Sequence, residues 1–123
     1  MNSLLVGIGG GIGAVLRYSF SIFTDHLFHS YFFLATLFVN LSGCFIIGIL
    51  WGVSEKKEIF NNNVKLFIFT GILGGFTTFS TFSYESFLLL QTDLKLFFIN
   101  IICNICLGII LVVVGNVVSK KIA

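Results

Sequence analysis

The chain has 123 residues, of which 57% are hydrophobic and only 10% are charged, and its mean hydropathy is +1.07. An ordinary soluble domain carries about 25% charged residues, so this composition excludes one and indicates an integral membrane protein. The formal net charge of +2 comes from scattered residues. No basic stripe is present, which excludes a partner made of nucleic acid.

Apolar segments long enough to cross the roughly 30 Å of bilayer hydrocarbon, which takes ~20 residues of helix, recur along the chain. They are predicted at Leu4–Thr24, Phe32–Val53, Lys65–Leu90 and Leu94–Ser119. The connections are short, so consecutive spans must be antiparallel neighbours and no separate extramembrane domain fits between them. We therefore predict an all-α fold, a membrane four-helix bundle that forms one domain over residues 1–123.

The lysines in the connections predict the orientation of the bundle. One side of the membrane would hold both termini and the second connection, with five lysines: Lys56, Lys57, Lys65, Lys120 and Lys121. The other side would hold only Lys95. This bias predicts a multi-pass protein of the cell membrane with both termini in the cytoplasm.

Glycines in the first span precede a membrane-embedded arginine. Gly9, Gly13 and Arg17 are spaced four residues apart and share a helix face, where the small residues permit close helix packing. Arg17 either extends to a lipid headgroup or faces a water-filled vestibule, where it would attract anions.

Asparagines occur within the second and fourth spans. Asn40 lies in the middle of the second span, and Asn100 and Asn104 lie one turn apart in the fourth. An amide in hydrocarbon needs hydrogen-bond partners, so these residues either bind neighbouring helices together or direct N–H donors at an anion.

The third span contains the residues least compatible with an unbroken membrane helix. Gly74 and Gly75 are followed by five hydroxyl residues in the seven positions 77–83 and by Glu85. Backbone that leaves helical geometry at membrane depth is tolerated where it is buried in protein or lines a cavity, and such interruptions hold ions in transport proteins. We predict a break over residues 74–77, whose freed carbonyls suit a hard alkali cation.

Phe79 and Phe82 follow the glycines and would share a face if helix resumes there. Such a pair either packs against other apolar groups or presents its ring edges, which carry partial positive charge, to a small anion beside Ser80 and Thr81. Attraction without a fixed cation would let the anion leave easily, as conduction requires.

Other chemistry is less well supported by the sequence. The spans lack a nucleophile, a base and an orienting group together, so an enzyme is not predicted. Glu85 either relays protons or is satisfied by hydrogen bonds from its neighbours.

The cysteines are predicted to be small apolar packing residues: Cys44, Cys103 and Cys106. His26 and His29 are predicted to be solvated loop residues rather than metal ligands.

The first three spans each contain an extended motif. These are Gly9-x3-Gly13-Ala14-x2-Arg17-Tyr18, Thr36-Leu37-x-Val39-Asn40-x2-Gly43-x4-Gly48 and Gly71-x2-Gly74-Gly75-x-Thr77-Thr78-Phe79-Ser80-Thr81-Phe82-Ser83-x-Glu85. Together they resemble the Fluc fluoride channels, the CrcB family. The resemblance implies small four-span subunits that pair antiparallel, one inverted relative to the other, and conduct fluoride passively out of the cytoplasm through two pores.

The resemblance also implies roles for individual residues. Those expected along the fluoride pore are Asn40, Phe79, Ser80, Thr81 and Phe82, with Arg17 at its vestibule. Backbone carbonyls of Gly74 and Thr77 from both subunits are expected to surround a central structural sodium ion. Where many family members have Tyr and Ser in the fourth span, this chain has Asn100 and Asn104; both can form hydrogen bonds, and Asn104 is expected at the pore.

The partner and the transport mode stay open at this point. A subunit that inserts in both orientations should have balanced lysines, so the bias predicts a fixed orientation and a heterodimer with a paralogous subunit of opposite orientation, with a homodimer as the alternative. One alternative function is a small proton-coupled four-span exporter, although such proteins place an essential Glu in the first span, which has none here. Another is a non-conducting subunit that needs a paralogous partner.

Overall fold

The computed structural model describes all residues from 1 to 123, and apart from turns it contains only helices. Four helical spans, Asn2–Leu27, Leu34–Lys57, Asn62–Thr92 and Leu94–Ile122, are long and apolar enough to cross a membrane. The mean hydropathy of their apolar stretches runs from 1.4 to 2.8. The predicted all-α membrane bundle of four spans is confirmed.

The helices extend beyond the apolar segments from which they were predicted. The second helix, for example, ends at Lys57 rather than at Val53. Polar residues support the helix ends: Asn61 Oδ1 accepts a hydrogen bond from the Val64 N–H at 2.9 Å, at the start of the third span. Hydropathy marks only the part of a helix inside hydrocarbon, whereas helical hydrogen bonding continues into the polar interface.

The third span is interrupted near its middle. A π-helical segment, Leu66–Leu73, and a short α-helical turn, Gly74–Phe76, lead into two extended residues. Thr77 has φ −79° and ψ 156°, and Thr78 has φ −147° and ψ 118°. A new helix, Phe79–Thr92, then begins with Thr78 as its N-cap. The predicted interruption is confirmed, but it lies at the threonines and not at the glycines, because a threonine side chain can cap the new helix.

The first span contacts the third through glycines that admit no side chain. A Cβ added at Gly9 would lie 2.6 Å from the Phe67 carbonyl oxygen, and one added at Gly13 would overlap the Ile72 carbonyl oxygen. The spacing of these glycines therefore serves close helix approach, as predicted. The approach brings Arg17, one turn after Gly13, to the interrupted part of the third span.

The second and fourth spans pack in the same way. A Cβ at Gly48 would overlap the Val112 carbonyl oxygen, and one at Gly115 would overlap the Phe45 carbonyl oxygen. The fourth span also contains a π-helical segment, Cys103–Leu107, which hydrophobic periodicity did not predict. A π turn inserts a residue into the helix and changes the register of the side chains that follow it.

Gly13→Ala should destabilise the protein, whereas Gly11→Ala on the same helix should not. Alanine favours helix over glycine by about 1 kcal/mol, and a Cβ at Gly11 meets nothing within 4 Å. At Gly13 the same methyl group meets backbone, and overpacking of this kind costs about 1–3 kcal/mol. Thermal unfolding of the purified variants in detergent measures the difference. Equal midpoints would show that the first and third spans can separate without cost.

Candidate functional site

Four backbone carbonyls, those of residues 74–77, lose their helical donors at the break, because one helix ends at Phe76 and the next begins at Phe79. In an unbroken α-helix the Thr78 N–H would bond to the Gly74 carbonyl; here it donates to Asn40 Oδ1 at 2.9 Å. The Thr81 N–H would bond to the Thr77 carbonyl, but it donates to Thr78 Oγ1 at 3.3 Å. The carbonyls of Gly74 and Thr77 are therefore available to other partners.

Asn40 holds the break against the second span. Its amide exchanges two hydrogen bonds with the backbone of Thr78: Asn40 Nδ2 donates to the Thr78 carbonyl at 3.1 Å, and Asn40 Oδ1 accepts from the Thr78 N–H. Asn40 Nδ2 also donates to Asn104 Oδ1 at 2.9 Å. The amide thus replaces the acceptor that the Thr78 N–H loses at the break, and it adds a donor to the Thr78 carbonyl, so Asn40 joins the second and third spans.

A row of hydrogen bonds continues from Asn104 along the fourth span. Asn104 Nδ2 donates to the backbone carbonyl of Asn100 at 3.1 Å and to its side-chain Oδ1 at 2.9 Å. Asn100, which is fully buried, donates through Nδ2 to Ser86 Oγ at 3.0 Å. Ser86 Oγ in turn donates to the Phe82 carbonyl at 2.7 Å. The row joins the second, third and fourth spans beside the break.

Sequence reasoning did not single out Ser86. The signal was available, because Ser86 lies one helical turn after Phe82 and so shares its face. What the sequence lacks is the pairing with Asn100, which depends on how the third and fourth helices are rotated against each other.

A cavity of about 350 Å³ lies beside the break, between the second, third and fourth spans. Predicted site residues that line it are Asn40, Gly74, Thr77, Phe79, Phe82 and Asn104. The rings of Phe79 and Phe82 meet edge to face with centroids 5.5 Å apart. Phe82 is 4% exposed and Phe79 is 75% exposed, so the chain encloses one ring and presents the other outward.

A second cavity, of about 270 Å³, lies on the other side of the break. Arg17 and Thr81 line it together with Thr36 and Thr78, and Thr78 lines both cavities. The guanidinium of Arg17 donates from Nη1 to the freed carbonyl of Thr77, at 3.5 Å. The remaining predicted residue, Ser80, places its hydroxyl 3.3 Å from Thr78 Oγ1.

Glu85 is anchored to the second span. Thr36 Oγ1 donates to Glu85 Oε1 at 2.8 Å, while Glu85 Oε2 is buried without a hydrogen-bond donor. One oxygen of the carboxyl group is therefore hydrogen-bonded to Thr36, which also lines the second cavity together with Arg17.

The arrangement offers polar groups suited to an anion rather than ligands suited to a transition metal. No group of three or more His, Cys, Asp or Glu side chains comes together in the chain. His26 and His29 contact each other with ring centroids 6.5 Å apart, outside both cavities. The three cysteines are free thiols, and among them Cys44 borders the larger cavity. Hydrophobic residues, including Phe79 and Phe82, make up most of the larger cavity's lining, with amide and hydroxyl groups between them.

Comparison with known proteins identifies relatives that match nearly the whole chain. A protein of Azobacteroides pseudotrichonymphae genomovar. CFP2 is 46% identical over 117 residues, which cover 94% of each chain. A protein of Shewanella woodyi is 44% identical over 94% of this chain and 93% of its own. One from Methanosarcina acetivorans is 42% identical over 98% of this chain and 92% of its own. The first two are named "Fluoride-specific ion channel FluC" and the third "Fluoride-specific ion channel FluC 1".

A family profile gives the same result. The family described as "CrcB-like protein, Camphor Resistance (CrcB)" matches residues 4–116, which contain most of each of the four spans. With this match and with relatives above 40% identity along its length, the chain, a multi-pass membrane protein, belongs to the CrcB family.

Proposed function

We propose that the chain is a subunit of a fluoride channel and that the anion passes along the cavity beside the break in the third span. The relatives' shared name supports fluoride as the ion. The lining of this cavity is the observation that supports the assignment. The rings of Phe79 and Phe82 meet there beside the amides of Asn40 and Asn104, and no lysine or arginine lines the cavity.

The wall chemistry fits a passive path for a small anion. Phenylalanine edges carry partial positive charge, so they attract fluoride without holding it as a fixed ammonium or guanidinium would. Conduction needs that balance between entry and release. A membrane potential of 100 mV, negative inside, favours the exit of one negative charge by about 2.3 kcal/mol. Fluoride therefore leaves the cytoplasm without a nucleotide or a coupled ion, which lowers its toxicity.

Arg17 provides the approach to this path. Its guanidinium lines the second cavity with hydroxyl groups, where a positive charge raises the local concentration of anions. Thr78 borders both cavities, and the hydroxyls of Ser80 and Thr81 lie 3.3 and 3.2 Å from Thr78 Oγ1. Fluoride would pass from the Arg17 cavity over these hydroxyls to Phe79 and Phe82.

The functional unit is an antiparallel dimer, because one chain leaves the path open on one side. Phe79 is 75% exposed, and the neighbouring Gly74 is exposed as well, although both border the cavity. A second subunit against these surfaces would close the path and bury the exposed ring.

A sodium ion fits between two such subunits. The freed carbonyls of Gly74 and Thr77 are oxygen donors of the kind that hard alkali cations prefer, and the outward position of Gly74 suits a ligand shared between copies. Arg17 already donates weakly to the Thr77 carbonyl, so the ion and the guanidinium would share this oxygen. The ion supplies a fixed positive charge that holds the broken helices together.

The lysine bias favours a partner other than a second copy of this chain. With both termini cytoplasmic, five lysines face the cytoplasm and one faces outward, and such a bias fixes the orientation of a small membrane protein. An inverted copy would insert against this rule. We therefore propose a heterodimer with a paralogous subunit of opposite lysine bias, with the homodimer as the competing assembly.

Phe79→Ile and Phe82→Ile should each lower fluoride efflux from liposomes by at least about tenfold, equivalent to about 1.4 kcal/mol, because isoleucine has no positive ring edge. Efflux is recorded with a fluoride electrode under a potassium diffusion potential. Phe87→Ile is the matched control, since Phe87 is 51% exposed on the same helix and lines neither cavity. Unchanged efflux in both site variants, with folding intact, would contradict the proposed path.

Sodium should raise the thermal stability of the assembled channel. A ligand present at 100 times its Kd stabilises the folded state by about 2.7 kcal/mol, so the unfolding midpoint should rise by several degrees when N-methylglucamine is replaced by sodium. Potassium at the same ionic strength is the control for general salt effects. Identical midpoints in all three cations would exclude the sodium site.

The heterodimer predicts that the chain alone inserts in one orientation and conducts no fluoride. Cysteine or tag accessibility at both termini in intact cells measures orientation, and liposome flux measures conduction. Co-expression with a paralogue of opposite bias should restore flux. Fluoride flux from the chain alone, with termini found on both sides of the membrane, would establish the homodimer instead.

A further inference from the structure

The side-chain amides of Asn40 and Asn104, which border the cavity lined by Phe79 and Phe82, have no N–H left for an ion. An Asn side chain carries two N–H donors. Those of Asn40 bond to the Thr78 carbonyl and to Asn104 Oδ1. Those of Asn104 bond to the backbone carbonyl and to Oδ1 of Asn100. An anion in the cavity can therefore gain an amide donor only if one of these bonds opens.

The bonds differ in how much structure depends on them. The contact between Asn40 and Thr78 is double, and it supplies the acceptor that the Thr78 N–H lacks at the helix break, so losing it would leave that N–H unpaired at membrane depth. The contact between Asn40 and Asn104 is single and joins two side chains. The hydrogen bond from Asn40 to Asn104 can therefore open while the contact between Asn40 and Thr78 keeps the helix break intact.

Asn104 is held in position to serve as the acceptor. Both of its N–H groups are fixed on Asn100, which is fully buried and bonded to Ser86. This orientation directs the Asn104 Oδ1 atom at Asn40, at 2.9 Å. Asn104 itself lies in the π-helical segment of the fourth span, and π turns occur frequently at functional positions.

We infer that Asn104 is an exchangeable internal acceptor: its Oδ1 atom occupies the Asn40 N–H in the empty pore and yields that N–H to fluoride. This inference rests on the proposed fluoride function and deepens it. In the empty state the acceptor spares Asn40 the cost of a buried unpaired donor. In the occupied state it competes with the ion, so binding is weaker and release is faster.

The exchange assigns Asn104 an effect opposite to that of an ordinary pore ligand. Removing a ligand weakens ion binding, whereas removing a competing acceptor strengthens it. Asn104→Leu keeps the approximate side-chain volume but removes the acceptor, so the Asn40 N–H faces the cavity without a partner. The fluoride concentration for half-maximal flux should fall roughly fivefold to tenfold, and the maximal flux should fall because release slows.

The experiment measures fluoride flux against fluoride concentration in liposomes that contain the conducting assembly. Asn104→Ser is the second variant, for use if leucine prevents folding. Its shorter side chain withdraws the acceptor from Asn40 but keeps a polar group at the position. Ile109→Val is the matched control, since Ile109 is exposed on the same span and lines neither cavity. A purely structural role for Asn104 would lower the thermal midpoint but leave the half-maximal concentration unchanged.

The outcomes separate the inference from the function on which it rests. A lower half-maximal fluoride concentration together with a lower maximal flux in Asn104→Leu or Asn104→Ser, with Ile109→Val unchanged, supports the exchangeable acceptor. An unchanged or higher half-maximal concentration in folded variants overturns it while the fluoride channel stands. No fluoride flux from the unmodified assembly overturns the proposed function itself.

Discussion

The double hydrogen bond between Asn40 and Thr78 is the contact on which the rest of the site depends. An extended residue in the middle of a membrane helix leaves backbone groups without partners, and each such group costs several kcal/mol in hydrocarbon. The Asn40 amide satisfies both the N–H and the carbonyl of Thr78. Gly43, one turn further on, permits this approach, because a Cβ there would overlap the Thr77 side chain. The cavity, the freed carbonyls and the position of Phe79 all follow from the helix ending there.

The break also leaves a backbone carbonyl without a partner within the chain. An exposed phenylalanine ring is tolerated by lipid, but an exposed backbone carbonyl is not, since lipid offers no donor. The carbonyl of Thr77 has a long contact with Arg17, whereas Gly74 lies exposed after its helical donor has turned to Asn40. A polar group left this way at membrane depth requires a partner from outside the chain. A second subunit and a shared cation would both meet that requirement.

The sequence was sufficient for the parts of the structure that follow from composition and local chemistry. Spans, close-packing glycines and an interrupted third helix were all predictable, because hydropathy, Gly9–Gly13 spacing and clustered hydroxyls act locally. The position of the break was not, since it depends on Thr78 meeting Asn40, 38 residues away in the chain. The row from Asn104 to Ser86 was also not predictable. It requires the register set by a π-helical segment, which leaves no periodic signal in an apolar helix.

The site separates attraction from passage. The one full positive charge near the break, on Arg17, lies in the cavity without phenylalanines and is tied to the Thr77 carbonyl. The cavity that contains Phe79 and Phe82 carries partial charges only, and its amides are satisfied by one another. On the proposed path, an anion drawn in by the guanidinium would move on to groups that bind it less strongly. Because the amides of Asn40 and Asn104 already have partners, they cost little to leave empty, and an ion that replaced one of these partners could in turn be replaced.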